Sequence, residues 1–378
     1  MAKVRKRTLP SGKTVWLADY TDVSGQRRFK QFDKKSVADD WLTKVKRDVQ
    51  LGTHVADSAS LTVKEAATLW LGRCADAGLE RSTRDAYKQH VDLHIVPFLG
   101  TKKLSQISTP AVHAFADELV KEGRSAAMVK RVIRSLGAIF VEARRRGSVA
   151  TNPVSDARVK VGDRRKSKRP EIPTKQELRD IIAAATGKHR ALILTALFAG
   201  LRASELRGLR WNCVDLKKGV VSVRERVDAW GEAGAPKSAA GEREVPLAPM
   251  AINALKEHRL ATPNGPNGLV FPSTEGTPLN HQNIINRIWR PLQIAAGLYT
   301  VQCEDENGEP IKVAKYNFHA LRHAAASLFI EQKLSPKRVQ TLMGHSSITV
   351  TFDTYGHLFE DADADQAAVA EIEARLLQ

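Results

Sequence analysis

The chain of 378 residues holds only three cysteines, Cys74, Cys213 and Cys303, scattered and without a CxxC pair or Cys/His cluster. That spacing speaks against a disulfide framework and against a metal site, and it fits a reduced, cytosolic setting. Long apolar runs are missing too. The longest, around residues 191–199, falls far short of the roughly 20 residues that a bilayer crossing needs. The basic N-terminus MAKVRKRTLPSGK has no apolar stretch, so it does not read as a secretory signal. Over the first 172 residues negative charge is far too little to balance the lysines and arginines. The formal net charge is +17, and nearly all of the excess lies there, whereas residues 173–378 are close to balance. A positive field concentrated in this way suits a polyanion, most often nucleic acid, with a merely soluble basic protein as the alternative.

What is present divides into segments. Residues 1–57 read as a small module. TVWLADYTD and QRRFKQFD are strand-like, VSGQ has turn chemistry, and KKSVADDWLTKVKRDVQLG reads as an amphipathic helix stopped by Gly52. Arg27, Arg28 and Lys30 on the second strand would lie against DNA, or would be the protective charges of a solvated edge. Residues 60–150 read as four helices. Thr62 stands three before Glu65 in a capping-box pattern, and Pro110 sits in a first turn. In the last helix Met128, Val132, Leu136 and Ile139 form an apolar stripe, and Lys130, Arg131, Arg134 and the Arg144, Arg145, Arg146 run lie off it. Residues 151–172, rich in proline and charge, read as an extended linker. Arg164, Arg165, Lys166, Lys168 and Arg169 there would strap a phosphate backbone. Residues 173–378 mix helices with the strands GVVSVRERVDAW and EREVPL.

Several motifs in this second half could do chemistry. FHALRH puts His319 and Arg322 on one helix face, an imidazole beside a guanidinium that suits a phosphodiester. AGLRASEL puts Arg202 after a helix-ending glycine, with Glu205 three residues on to hold its side chain. Lys237 sits in a Gly/Ala-rich turn where a general acid could swing. LMGHSS places His345 behind a stop glycine, ten residues before Tyr355. The periodicity around Tyr355 fits a strand, with Ile348, Val350 and Phe352 alternating, and equally a helix, with Ile348, Phe352 and Tyr355 at i, i+4 and i+7. Singly, each motif has an ordinary structural explanation.

In the order Arg202, Lys237, His319, Arg322, His345 and Tyr355, however, the text AGLRASEL, PKSAAGEREVPL, FHALRH and LMGHSSITVTFDTYGHL resembles the tyrosine recombinases, in particular phage and genomic-island integrases. Departures are small: Lys-Ser where many members carry Thr-Lys-Thr, and a long insertion, QCEDENGEPIKVAKY, before His319. The resemblance implies a multidomain, mainly α fold. Residues 1–57 would form a three-stranded sheet and helix binding arm-type DNA sites. Residues 60–150 would be a helical SAM-like domain binding the core site, and residues 173–378 a mixed α+β catalytic domain. It makes residues 348–355 helical. It implies cutting and rejoining of DNA without metal or other cofactor. Arg202 and Arg322 would hold the nonbridging phosphate oxygens, and His345 would hydrogen-bond the phosphate. His319 would be general base or proton-accepting partner. Lys237 would protonate the departing 5′ oxygen, and Tyr355 would form the 3′-phosphotyrosyl link. A type IB topoisomerase-like enzyme, with related chemistry and no site choice, is the alternative. Expected partners are duplex attachment sites, a tetramer of the chain on DNA docked through the C-terminal helix, a host bending protein and an excision factor. The expected location is the cytoplasm of a bacterial host, at the nucleoid. The acidic segment after Tyr355 would pack on its own domain or on a neighbouring protomer.

Overall fold

A computed structural model describes residues 2–23, 25–50, 54–57, 59–160, 162, 170–262, 268–359, 372 and 375. The chain forms two compact units, Met1–Lys166 and Ser167–Gln378. The linker residues Arg164, Arg165, Lys166, Lys168 and Arg169, the stop Gly52 and nearly all of the acidic C-terminal segment lie outside the described residues.

The first unit opens with strands β1 (Lys3–Thr8), β2 (Thr14–Thr21) and β3 (Arg27–Phe32), an antiparallel sheet in that order. Helix α1 (Lys35–Gln50) covers one face, packing Leu42 and Val45 on Ala18 and Tyr20. Strand alternation divides the side chains between the faces. In β3, Arg28, Lys30 and Phe32 are half-buried and alternate with the exposed Arg27, Phe29 and Gln31. Arg27 therefore does not share a sheet face with Arg28 and Lys30. Arg28 pairs with Asp22 and Lys30 with Asp57, while Arg27 stands on the open face, gripping Asp19 through two N–H bonds of 2.9 and 2.6 Å.

The remainder of this unit is helical: α2 (Val63–Asp76), α3 (Arg81–His90), a π-helical turn at Val91–Ile95 running into α4 (Val96–Leu99), α5 (Thr109–Lys121), α6 (Ala126–Arg145) and α7 (Pro153–Ala157). The Thr62/Glu65 capping box forms, and Ser108 and Ser125 cap α5 and α6 through their hydroxyls. Trp70, Ile95, Phe115, Leu119, Leu136, Ile139 and Phe140 fill the core. Helix α7 corrects the extended linker expected over 151–172. Asn152 accepts from the Val154 N–H and donates to the Gly137 carbonyl, and Ala157 is buried in the same core. One capping side chain and a first-turn proline make a helix of a segment whose composition reads as linker.

The second unit contains α8 (Lys175–Ala184), α9 (Arg190–Ala199), α10 (Ala203–Gly208), β4 (Val214–Asp215), β5 (Val220–Val223), β6 (Arg226–Val227), β7 (Ala233–Gly234), β8 (Arg243–Pro246) and α11 (Pro249–Ala261). Next come α12 (His281–Asn283), a π-helical segment Ile284–Trp289, α13 (Arg290–Ala295), β9 (Tyr299–Glu304), β10 (Pro310–Ala314), α14 (Ala320–Glu331), α15 (Pro336–Met343) and α16 (Ile348–Tyr355). Helix α9 is buried on nearly every side and forms the centre of the core. Strands β4, β5 and β8 make a small antiparallel sheet that pairs Val221 with Val245 and Val223 with Arg243. The long insertion before His319 is a β9–β10 hairpin, its turn closed by Asp305 accepting from the Asn307 and Glu309 N–H groups. No helix among the described residues is long and apolar enough to cross a membrane.

Candidate active site

Two helix ends organise the site. Helix α9 stops at Gly200 (φ +60°) and α15 at Gly344 (φ +63°), both left-handed as a helix-terminating glycine permits. Carbonyls at a helix C-terminus lack intrahelical partners and carry the negative end of the dipole. Here guanidinium groups satisfy them crosswise. Arg202, two residues past the first stop, donates from Nη2 to the Gly344 carbonyl at 2.8 Å. Arg322, on the first turn of α14, donates from Nη1 to the Gly200 carbonyl at 2.6 Å and from Nη2 to the Met343 carbonyl. Three stretches distant in sequence thus bring the two arginines together. Burial, followed by repulsion from Arg202, pulls Arg322 down to about 9, so it stays a cation at neutral pH.

Glu205 fixes the first arginine and is itself fixed by another. Its Oε2 accepts from the Arg202 backbone N–H at 2.9 Å, and its Oε1 accepts from Arg202 Nη1 at 2.7 Å. Arg243 then clamps the same carboxylate with Nη1 and Nη2 at 3.1 and 2.9 Å, and reaches the carbonyls of Leu342 and Gly241. Burial alone would raise the Glu205 carboxyl, but the Arg243 hydrogen bonds and charge, with Arg202's, hold it at about 2. Arg243 was not among the residues picked out from the sequence. Its signal is the strand alternation: Arg243 and Val245 face inward while Glu244 and Pro246 are exposed.

The aromatic and imidazole groups come from the start of α14, the connection between α15 and α16, and the end of α16. Residues 348–355 are helical, and Tyr355 ends that helix with only 1% of its surface accessible. Burial, partly offset by Arg322 and Arg202, pushes its hydroxyl up to about 12. The His345 ring stacks on the Tyr355 ring, 6.2 Å between centroids and 14° from parallel. Nδ1 of His345 is engaged with the Thr351 hydroxyl at 2.9 Å, which leaves Nε2 as the nitrogen for any further partner. Burial, then the charges of Arg322 and Arg202, lowers His345 to about 4. His319 sits at the accessible rim; crowding, then His323 and Arg322, lowers its pKa. The Tyr355 hydroxyl meets Nδ1 of His323 at 2.8 Å. His323 and Thr351 are the other residues missed from the sequence. The signal for His323 was its place four residues beyond His319, on the same helix face.

Arg202, Glu205, His319, Arg322, His345 and Tyr355 therefore form one constellation. Lys237 lies on the exposed turn between β7 and β8. That turn is tethered to the site further on, where the Gly241 carbonyl accepts from Arg243. No group of three or more His, Cys, Asp or Glu side chains among the described residues is placed to hold a metal ion. In the first unit Lys130, Arg131 and Arg134 are exposed on α6. Lys130 and Arg134 line an open groove of about 1050 Å³ together with Arg158 and Lys160.

Comparison with known proteins agrees with this geometry. Residues 172–361 match the model of the phage integrase family, and residues 62–120 match the phage integrase N-terminal SAM-like domain. A Mycobacterium tuberculosis H37Rv protein assigned as the prophage phiRv2 integrase is 28% identical over 377 residues, 97% of this chain and 94% of its own. The tyrosine recombinase XerC of Xylella fastidiosa M23 is 27% identical over 292 residues, 75% and 88% of the two chains. Among solved structures, the Tn1549 transposon integrase in complex with a circular intermediate DNA superposes with a TM-score of 0.67 at 21% identity, covering 83% of this chain and all of that one. A lambda integrase dimer bound to a core site gives 0.59 at 21% identity, covering 94% of each chain. With the family model spanning half of the sequence, and the arginines, histidines and tyrosine gathered as described, the chain belongs to the phage integrase family: it is a tyrosine recombinase, an enzyme of site-specific cutting and rejoining of DNA strands.

Proposed function

We propose that Tyr355 is the nucleophile, attacking a DNA phosphate held by Arg202 and Arg322 to give a 3′-phosphotyrosyl link and a free 5′ hydroxyl. The observation that carries this reading is the convergence of two guanidinium groups, tied to the same pair of helix ends, on the helices that hold the buried Tyr355 hydroxyl. Such preorganised donors stabilise the charge that develops as the phosphate is attacked. His345, oriented by Thr351, hydrogen-bonds the phosphate, and His319 at the rim is a proton-accepting hydrogen-bond partner. Lys237, on its exposed turn, protonates the leaving 5′ oxygen. Rejoining is the reverse step with another strand's hydroxyl, and two rounds on two duplexes integrate or excise a mobile element.

DNA contact in the first unit is assigned to two surfaces. One is the open face of the N-terminal sheet, where alternation puts Lys3, Arg5 and Arg7 beside Arg27 and the exposed Phe29. The other is the groove of Lys130, Arg134, Arg158 and Lys160. Further parts of the proposal are assembly on DNA as a tetramer, accessory bending and excision proteins, and residence with the DNA in the cytoplasm of a bacterial host. The test is a nicked suicide substrate carrying the attachment core. Wild type should trap a covalent adduct, and Tyr355→Phe should bind equally and trap none. An adduct with the Phe variant refutes the assignment. Relaxation of a plasmid without any attachment site would instead favour a topoisomerase.

A further inference from the structure

We propose that His323 is a further catalytic residue, the acceptor that takes the phenolic proton of Tyr355 during cleavage and returns it during rejoining. The inference deepens the assignment of Tyr355 as nucleophile and rests on it. Its ground is geometric: Nδ1 of His323 lies 2.8 Å from the Tyr355 hydroxyl, within reach of direct proton transfer. The rings meet at 62° with centroids 5.7 Å apart, so the imidazole edge points at the phenol oxygen. His319, the other imidazole of the motif, packs edge-on against His323, with 4.8 Å between ring centroids.

The direction of the hydrogen bond follows from the surrounding charges. Arg322 and Arg202 both act on the phenol oxygen as nearby cations. A hydroxyl proton turns away from cations, and Nδ1 of a neutral His323 is the acceptor within its reach. The imidazole then carries its own proton on Nε2 and presents a lone pair to the tyrosine. The titratable and charged groups facing His323 are Arg322 and His319 on its own helix and Tyr355 from α16, with His345 stacked on the far side of the phenol. Burial, then Arg322, lowers His323 below the usual histidine value, which keeps it neutral and accepting at physiological pH. A phenol held near 12 loses its proton to solvent only rarely, so an adjacent base is what the attack lacks.

The step balances. The Tyr355 O–H bond breaks as the Oη–P bond forms, and the proton passes to His323 Nδ1, giving an imidazolium. The P–O5′ bond breaks and the leaving oxygen takes its proton from the general acid. In the reverse step the imidazolium reprotonates the departing phenolate.

The experiment compares full-length wild type, His323→Asn, His323→Gln, Lys237→Ala and Tyr355→Phe in single-turnover formation of the covalent adduct. Two substrates are used: the normal phosphodiester, and one with a 5′-bridging sulfur whose thiolate leaves without an acid. Asn places an amide oxygen near the Nδ1 position, so it preserves a hydrogen bond but not basicity. His323→Asn and His323→Gln should lose roughly 10²- to 10⁴-fold on both substrates with DNA binding unchanged. The wild-type rate should rise with pH as an imidazole of depressed pKa gives up its proton, and that limb should vanish in His323→Asn. Lys237→Ala should lose activity on the oxygen substrate alone. A melting curve on each variant identifies one that has not folded. A rate within threefold of wild type for a folded variant, a faster rate, or rescue of His323→Asn by the sulfur substrate would each overturn the proposal. Failure of wild type to form a Tyr355 adduct would instead refute the nucleophile assignment.

Discussion

Replacing Arg243 by methionine would test whether the site depends on the buried carboxylate of Glu205. The side chains of both residues are about 2% accessible, and two N–H bonds join them. Methionine keeps an unbranched apolar stem and deletes the guanidinium. Glu205 would keep its two bonds to Arg202, while the carbonyls of Leu342 and Gly241 would lose a donor. Breaking one side of a buried ion pair costs about 3–5 kcal/mol. The titration of Glu205 gives an independent figure. A carboxyl shifted from 4.5 to about 2 contributes on the order of 3 kcal/mol. Because this pKa is depressed in the folded state, that stability is fully present above pH 4.5 and is lost as the pH falls toward 2. For a unit of this size about 3 kcal/mol lowers the melting temperature by roughly 6–12 °C. The assay is calorimetry of the full chain, following the transition of the catalytic unit from pH 7 downward. Arg243→Met should melt lower at neutral pH and be less sensitive to acid below pH 4.5. Glu205→Gln should also be damaging, and the double variant with Arg243→Met should cost less than the two single changes added. A shift below 2 °C with an unchanged acid profile would refute the reasoning.

Arg202→Ala and Arg322→Ala should each bind DNA yet cleave about 10²- to 10³-fold more slowly in the suicide-substrate assay, as for loss of a preorganised donor. Thr351→Val should release the His345 ring, worth about 1 kcal/mol, and slow cleavage roughly five- to tenfold without a comparable fall in melting temperature. Gly344→Ala should destabilise, since the left-handed backbone costs about 1–2 kcal/mol and the new Cβ would lie 2.7 Å from Arg243 Nη1; calorimetry reads it. Arg5→Ala and Arg7→Ala should each lower the salt dependence of arm-site binding by about one ion, measured by anisotropy against salt concentration.

The helical framework was legible where local chemistry decides it. The pair Thr62/Glu65 sits at a helix start as its spacing says, and Pro110 lies in the first turn of α5. Helix α16 was legible from the resemblance and not from periodicity, for a physical reason. Val350 and Phe352, which produced the strand-like alternation, are exposed, and the buried face carries Thr351 and Tyr355. A helix whose inward face serves chemistry breaks the apolar pattern that periodicity relies on. Arg28 and Lys30 could have been separated from Arg27 by alternation alone. The groups holding the reacting side chains escaped for another reason. His323, Arg243 and Thr351 act through contacts across the fold; each stands in a stretch already singled out, FHALRH, PKSAAGEREVPL or LMGHSSITVTFDTYGHL, but nothing local marks the partner it meets.

The crosswise bonds at Gly200, Met343 and Gly344 have a bearing on safety. An enzyme that cuts DNA must be harmless while incomplete. Each guanidinium finds its carbonyl partner on a segment more than twenty or a hundred residues away, and Tyr355 comes last of the gathered residues in chain order. A nascent or partly unfolded chain therefore holds no ordered pair of arginines and, for most of its synthesis, no Tyr355. The capacity to cut appears only when the ends of α9 and α15 and the start of α14 have closed on one another, so quality control of folding and control of DNA damage become a single event.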